Sequence, residues 1–174
     1  WSTSLGFQHK RLVAAATKQL ETLPYYHLFG QKSHLPSIDL AEKLLNVAHD
    51  SVSKVFFNNS GSEANDTAIK IIWYYNNARG RHQKKKIIGR INGYHGITLA
   101  SSSLTGRSLN HAGFDVPLEK FIHTNNPHYY RFGEDGETEE DFATRMANDL
   151  DQLIINEGPE TCLLYTSPSP RDVP

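Results

Sequence analysis

Phe56-Phe57-Asn58-Asn59-Ser60-Gly61-Ser62-Glu63-Ala64-Asn65-Asp66-Thr67-Ala68-Ile69-Lys70 is an apolar run that halts at two asparagines, passes through Ser-Gly-Ser-Glu and resumes with helix formers. Lys54 to Asn58 reads as a short buried strand, and the repeat Ala64, Ala68, Ile71 or Ile72, and Tyr75 as the inner face of a helix. Ser60 and Glu63 have the spacing of a capping box, and Gly80 suits the left-handed position that ends the helix. A helix N-terminus carries unpaired N–H groups at the positive end of the macrodipole, and glycine beside it lets an anion approach the backbone. The stretch therefore reads either as a start capped for stability or as a cup for a phosphate. Neither G-x-x-x-x-G-K-[ST] nor a G-x-G-x-x-G after the strand is present, which removes two common nucleotide loops.

Toward the N-terminus, Leu12, Ala16, Leu20 and Leu23 repeat at helical spacing before Pro24. A polar, aromatic loop leads to Ser37, expected as the N-cap of a second helix buried along Leu40, Leu44, Val47 and Ala48. Toward the C-terminus, the basic run Arg81 to Lys86 reads as a solvated connection into a second apolar strand, KIIGRI. Asn92-Gly93-Tyr94-His95-Gly96 then turns into a Ser/Thr-rich segment that can begin a helix, and KFIHT is a third strand. After a loop containing YYRF, Thr138 and Asp141 start a last helix with Ala143, Ala147, Leu150 and Ile154 inward, ended by Gly158-Pro159. Strands alternating with helices predict an α/β fold with a mainly parallel sheet.

The 174 residues suffice to bury a core, and a net charge of -1 gives no reason to expect nucleic acid or anionic membrane as partner. No run approaches the length of a membrane span, and the first ten residues do not read as a signal peptide. The single Cys162 allows no internal disulfide, so a reducing, cytoplasmic compartment is expected. The nine histidines show no H-x-x-x-H pair within a helix, and no metal site is expected.

After Thr161 the chain reads CLLYTSPSPRDVP, too rich in proline for a central strand. Composition alone suggests a disordered tail. CLLYTSPSPRD also resembles the in-frame translation of an adapter used in preparing sequencing libraries, so residues 162–174 are expected to be non-native and are set aside, Cys162 with them.

Gly93 and Gly96 flank Tyr94 and His95 at the C-terminal end of a strand, where open α/β sheets bind ligands. Tyr94 there is a core aromatic in a tight turn or a face that stacks on a planar ring. A phosphate cup and a stacking aromatic on successive strands together describe a phosphorylated planar cofactor.

Asn59 to Ala64 and Gly93 to Gly96, supported by WSTSLGF, by LPYYHLF from Leu23 to Phe29 and by KVFF, resemble class III aminotransferases over residues 1–161, closest to the amine and ω-amino acid:pyruvate branch. The resemblance implies pyridoxal 5′-phosphate (PLP) as cofactor and a partial fold-type-I large domain, three-layered α/β/α, over residues 37–161. An N-terminal segment over residues 1–36 carries a helix and a substrate-pocket loop. It implies a homodimer with sites at the interface, and ping-pong transfer of an amino group from an amine to a keto acid. It assigns Gly61, Ser62, Tyr94 and His95 to the cofactor: phosphate for the first pair, ring stacking for Tyr94, the adjoining wall for His95. Trp1 and Phe29 correspond to substrate-pocket aromatics, Phe29 to one reaching the partner's pocket. The Schiff-base lysine and the carboxylate for the pyridine nitrogen belong to segments not found here. The chain has no initiator Met, reads as cut at both ends, and is expected to be inactive by itself. An aminomutase or decarboxylase shares the same features. A non-catalytic phosphate-binding module is the rival of a different class.

Overall fold

Lys86–Arg90 (β1) is the central strand of a three-stranded parallel sheet, flanked by Phe121–Thr124 (β2) and Cys162–Leu164 (β3) in the order β2-β1-β3. The structure, a computed structural model, describes residues 3–164. Ile87 stands opposite Phe121 and Leu163, and Gly89 opposite His123. The α-helices among the described residues are α1 (Lys10–Thr22), α2 (Leu35–Val47), α3 (Gly61–Ala78), α4 (Leu99–Leu104), α5 (Tyr129–Phe132) and α6 (Glu139–Glu157).

Alternation along β1 sends Ile87 and Ile88 to opposite faces, and both are fully buried, as a covered parallel strand requires. On the Ile87 face, Ile69 of α3, Leu104 of α4 and Phe121 of β2 form the core, with Trp73 and Ala100 packed against it. Each of these four large side chains contributes about 1.5–3 kcal/mol by leaving water. Gly89 lets α4 settle on the strand. A Cβ there would collide with the Leu104 carbonyl and stand 3.1 Å from the His123 ring. The layered α/β class with a parallel sheet is the one expected.

The chain divides into two compact units, Trp1–Phe56 and Phe57–Pro174. In the first, α1 and α2 bury no residue, and Leu12, Val13 and Leu20 are more than half exposed. The boundary expected at 36/37 falls inside α2. His34, not Ser37, caps that helix: its Nδ1 accepts the Ser37 N–H at 3.2 Å. Pro36, which has no N–H and a pre-set φ, moves the start ahead of Ser37.

In the second unit several expectations are corrected. Residues 54–58, which straddle the division, form no strand, because no neighbouring strand among the described residues offers them a ladder. Helix α3 buries Ile69 and Asn76 and half-buries the expected Ala64, Ala68 and Ile72, but leaves Ile71 and Tyr75 more than half exposed, so its inner face is rotated somewhat from the expected one. Helix α6 buries Phe142, the larger apolar group, and exposes Ala143 and Ala147, whereas Leu150 and Ile154 are half-buried as expected. The YYRF segment is the short helix α5. The basic run is tied down at its end: Lys85 Nζ donates to the Trp73 carbonyl at 3.0 Å and to Asn77 Oδ1 at 2.6 Å. Lys86 pairs with Glu157 at 2.6 Å, and that hydrogen bond raises the Lys86 pKa. Cys162 to Leu164, expected outside the native fold, supply β3, with Cys162 buried against the sheet. The rest of that tail lies outside the described residues.

Candidate functional site

The start of α3 is built by two reciprocal side-chain caps. Ser60 Oγ accepts the Glu63 N–H at 3.2 Å, and Glu63 Oε2 accepts the Asn59 N–H at 2.9 Å. A cap of this kind stabilises by about 1 kcal/mol. It occupies the Asn59 and Glu63 amides, while the Gly61 and Ser62 N–H groups between them have no acceptor among the described residues. The space a Cβ would take at Gly61 is open to 4 Å. Two outward amides at the positive end of an 18-residue helix, with no side chain in front, can bind an anion.

The loop after β1 folds back onto this cup. Asn92, at φ +68, turns the chain out of the strand, a left-handed position that asparagine tolerates. Its N–H donates to the Gly106 carbonyl at 2.8 Å, and the Gly106 N–H donates to the Gly93 carbonyl at 2.9 Å. His95 is held through its backbone: its N–H donates to Thr105 Oγ1 at 2.9 Å and its carbonyl accepts from Asn65 Nδ2 at 2.6 Å. The Ile97 N–H then donates to Ser62 Oγ at 3.1 Å. Gly96, at φ +136, makes that approach possible, since a Cβ would collide with the Ser62 hydroxyl and stand 2.9 Å from Ser101 Cβ.

The first turn of α4 joins the same knot. Ser101 Oγ lies 2.8 Å from the Ser62 carbonyl and 2.7 Å from Asp66 Oδ1. Asp66 Oδ1 also accepts the Ser101 N–H at 3.0 Å and the Thr98 hydroxyl at 2.8 Å. Behind it, His123 Nε2 meets the Leu104 carbonyl at 3.1 Å beneath α4, with the His111 ring 5.8 Å away. Burial first, and the neighbouring His111 in support, lower the His123 pKa, while the Leu104 carbonyl acts the other way.

Four of the six expected site residues thus belong to one neighbourhood: Gly61 and Ser62 open α3, and Tyr94 and His95 sit on the loop hydrogen-bonded to it. Tyr94 is half-buried and His95 is 8% exposed. Phe29 lies in the first compact unit, 70% exposed, its ring stacked on His27 at 3.9 Å between centroids. Trp1 lies outside the described residues. Asp66, Asn65, Thr98, Ser101 and Thr105 were not anticipated. The readable signal was the 62, 65/66, 69, 76 spacing, which puts polar residues on the helix's inner face. Among the described residues no three His, Cys, Asp or Glu side chains gather to hold a metal ion, and no helix is long and apolar enough to cross a membrane.

The parallel α/β sheet, the open Gly-Ser start of α3 and the glycine-flanked Tyr94 and His95 on the loop after β1 are thus gathered in one neighbourhood, as the sequence led one to expect. The family model for class-III aminotransferases matches residues 1–168, and the chain belongs to that family. It is 56% identical over 166 residues to gamma aminobutyrate transaminase 3, chloroplastic, of Solanum lycopersicum, covering 95% of this chain and 32% of that protein. It is equally identical to the vanillin aminotransferase of Capsicum annuum, covering 36% of it. Among solved structures, the omega transaminase of Pseudomonas jessenii in complex with PMP superposes with a TM-score of 0.90 at 60% identity, over 93% of this chain and 36% of that one. The chain therefore spans about a third of the length of these relatives.

Proposed function

We propose that the full-length protein is a PLP-dependent transaminase that moves an amino group from an amine or ω-amino acid to a keto acid such as pyruvate. The observation that carries the reading is the open pair of amides at Gly61 and Ser62 beside a hydroxyl already oriented by Ile97. These groups suit a phosphate: two N–H donors, one O–H donor, a helix dipole, and no Cβ at Gly61. Family membership and relatives named as transaminases support the same conclusion.

In this assignment Gly61 and Ser62 hold the cofactor phosphate, Tyr94 lies against the ring and His95 forms the adjoining wall. Trp1 and Phe29 line the substrate pocket of a homodimer. Bound there, the cofactor supplies the electron sink that makes the proton on the amine-bearing carbon removable. The chain's own contribution is binding and orientation, and none of its residues receives a catalytic role. A cytoplasmic location belongs to the proposal, and relatives named as chloroplastic and mitochondrial make organelles the competing outcome, separable by imaging the tagged full-length protein.

The test is PLP titration of the full-length protein beside Ser62→Ala and Tyr94→Ala, followed by an assay with amine and pyruvate. Ser62→Ala removes a hydrogen bond to a charged group, an effect of about 1.5–3 kcal/mol, and should weaken PLP binding about tenfold or more. Release of carbon dioxide or migration of the amino group would instead indicate a decarboxylase or an aminomutase. Unchanged PLP binding in both variants would sink the assignment.

A further inference from the structure

We infer that Asp66 is a positioning residue for the phosphate cup, acting through Ser101 and Thr98 on Ser62; the inference rests on the cofactor reading above. Asp66 lies one helical turn after Ser62, on the same face of α3. Its Oδ1 gathers three donors from the start of α4: the Ser101 N–H at 3.0 Å, the Ser101 hydroxyl at 2.7 Å and the Thr98 hydroxyl at 2.8 Å. No other side chain among the described residues draws so many bonds from that turn. The one Ser101 hydroxyl proton lies between Asp66 Oδ1 and the Ser62 carbonyl, 2.7 and 2.8 Å from the oxygen, and so couples the carboxylate to the backbone of the cup.

The consequence is a fixed polarity at Ser62. With residues 97–101 anchored on Asp66, the Ile97 N–H points at Ser62 Oγ and occupies it as an acceptor. Gly96 closes the same side of the hydroxyl. The proton of Ser62 Oγ has no acceptor among the described residues, and its remaining direction is away from the loop. Asp66 thereby makes Ser62 a donor toward a phosphate without touching the phosphate. An oxygen at Oδ1 performs this task whether it belongs to a carboxylate or to an amide. A short polar residue inside a helix otherwise disfavours it, and these bonds offset that cost.

The experiment uses the full-length protein and two probes, PLP and pyridoxal, which differ only by the phosphate. Asp66→Ala should weaken PLP about tenfold while leaving pyridoxal affinity within about twofold, a loss of roughly 1.4 kcal/mol confined to the phosphate. Asp66→Asn, which keeps Oδ1, should restore PLP affinity to near that of the parent. Ser101→Ala, which removes the bridge but leaves Asp66 in place, should show the same phosphate-selective loss and serves if Asp66→Ala does not fold. The inference is overturned by unchanged PLP affinity in Asp66→Ala and Ser101→Ala, by equal weakening of both probes, or by an Asp66→Asn loss as large as that of Asp66→Ala. A parent protein that binds PLP no more tightly than pyridoxal would overturn the cofactor reading itself, and this assignment with it.

Discussion

Gly96 shows how closely one residue can link fold and site. At φ +136 and against Ser62 and Ser101, it has neither the conformation nor the space for a side chain. Gly96→Ala should lower the stability of the full-length protein by about 2–4 kcal/mol, measured by denaturant unfolding, and should also weaken PLP binding. Stability unchanged within error would contradict the packing described. The cap residues Ser60 and Glu63 were legible in the sequence because three-residue spacing is a local rule. For Asp66 the helical spacing announced a polar residue on the inner face but not its bonds, because its partners Thr98 and Ser101 are more than 30 positions away and no local pattern reaches across that separation.

Elements were legible in kind and less so in orientation. Helices α1, α3 and α6 stand where periodicity placed them, and β1 and β2 where apolar runs did. The inner faces of α3 and α6 were assigned only in part: Ala64, Ala68, Ile72, Leu150 and Ile154 are half-buried as expected, but Ile71, Tyr75, Ala143 and Ala147 are apolar yet face outward. The buried stripe instead follows Ile69, Asn76 and Phe142, which meet the rest of the unit. Near the start of α6, Glu137 accepts two bonds from Arg145, at 2.8 and 2.7 Å. Arg145 first, then the Glu134 N–H, hold the Glu137 carboxyl down to about 2 from its ordinary 4.5. The folded state thus favours the ionised form, so its stabilisation is present above pH 4.5 and is lost as pH falls toward 2. Glu137→Gln should flatten the melting temperature over that window, and an unaltered acid profile would refute the pairing. His123 works from the other side. Its folded pKa lies below its ordinary 6.5, so the unfolded chain takes up the proton more readily and stability falls as pH drops below 6.5. His123→Gln should flatten that limb, and an unchanged slope would refute the burial argument.

At the scale of the whole molecule, two compact units make up about a third of the length of the relatives, and the first keeps large apolar side chains such as Phe29, Leu12 and Leu20 in water. The proposed pocket shared through Phe29 requires two subunits, so the full-length protein is expected to run as a homodimer in analytical ultracentrifugation, and a monomer at micromolar concentration would contradict that proposal. Fold class was legible because alternating strands and helices are a chain-long pattern, whereas the segment at 54–58 could not be assigned from hydrophobicity, which does not reveal whether a neighbouring strand exists. If the Gly61-Ser62 start of α3 holds the cofactor phosphate, as proposed, a crystal structure of the full-length protein with PLP will show phosphate oxygens about 3 Å from the Gly61 and Ser62 nitrogens and from Ser62 Oγ. A phosphate bound elsewhere, with those three donors turned to water or protein, would contradict it.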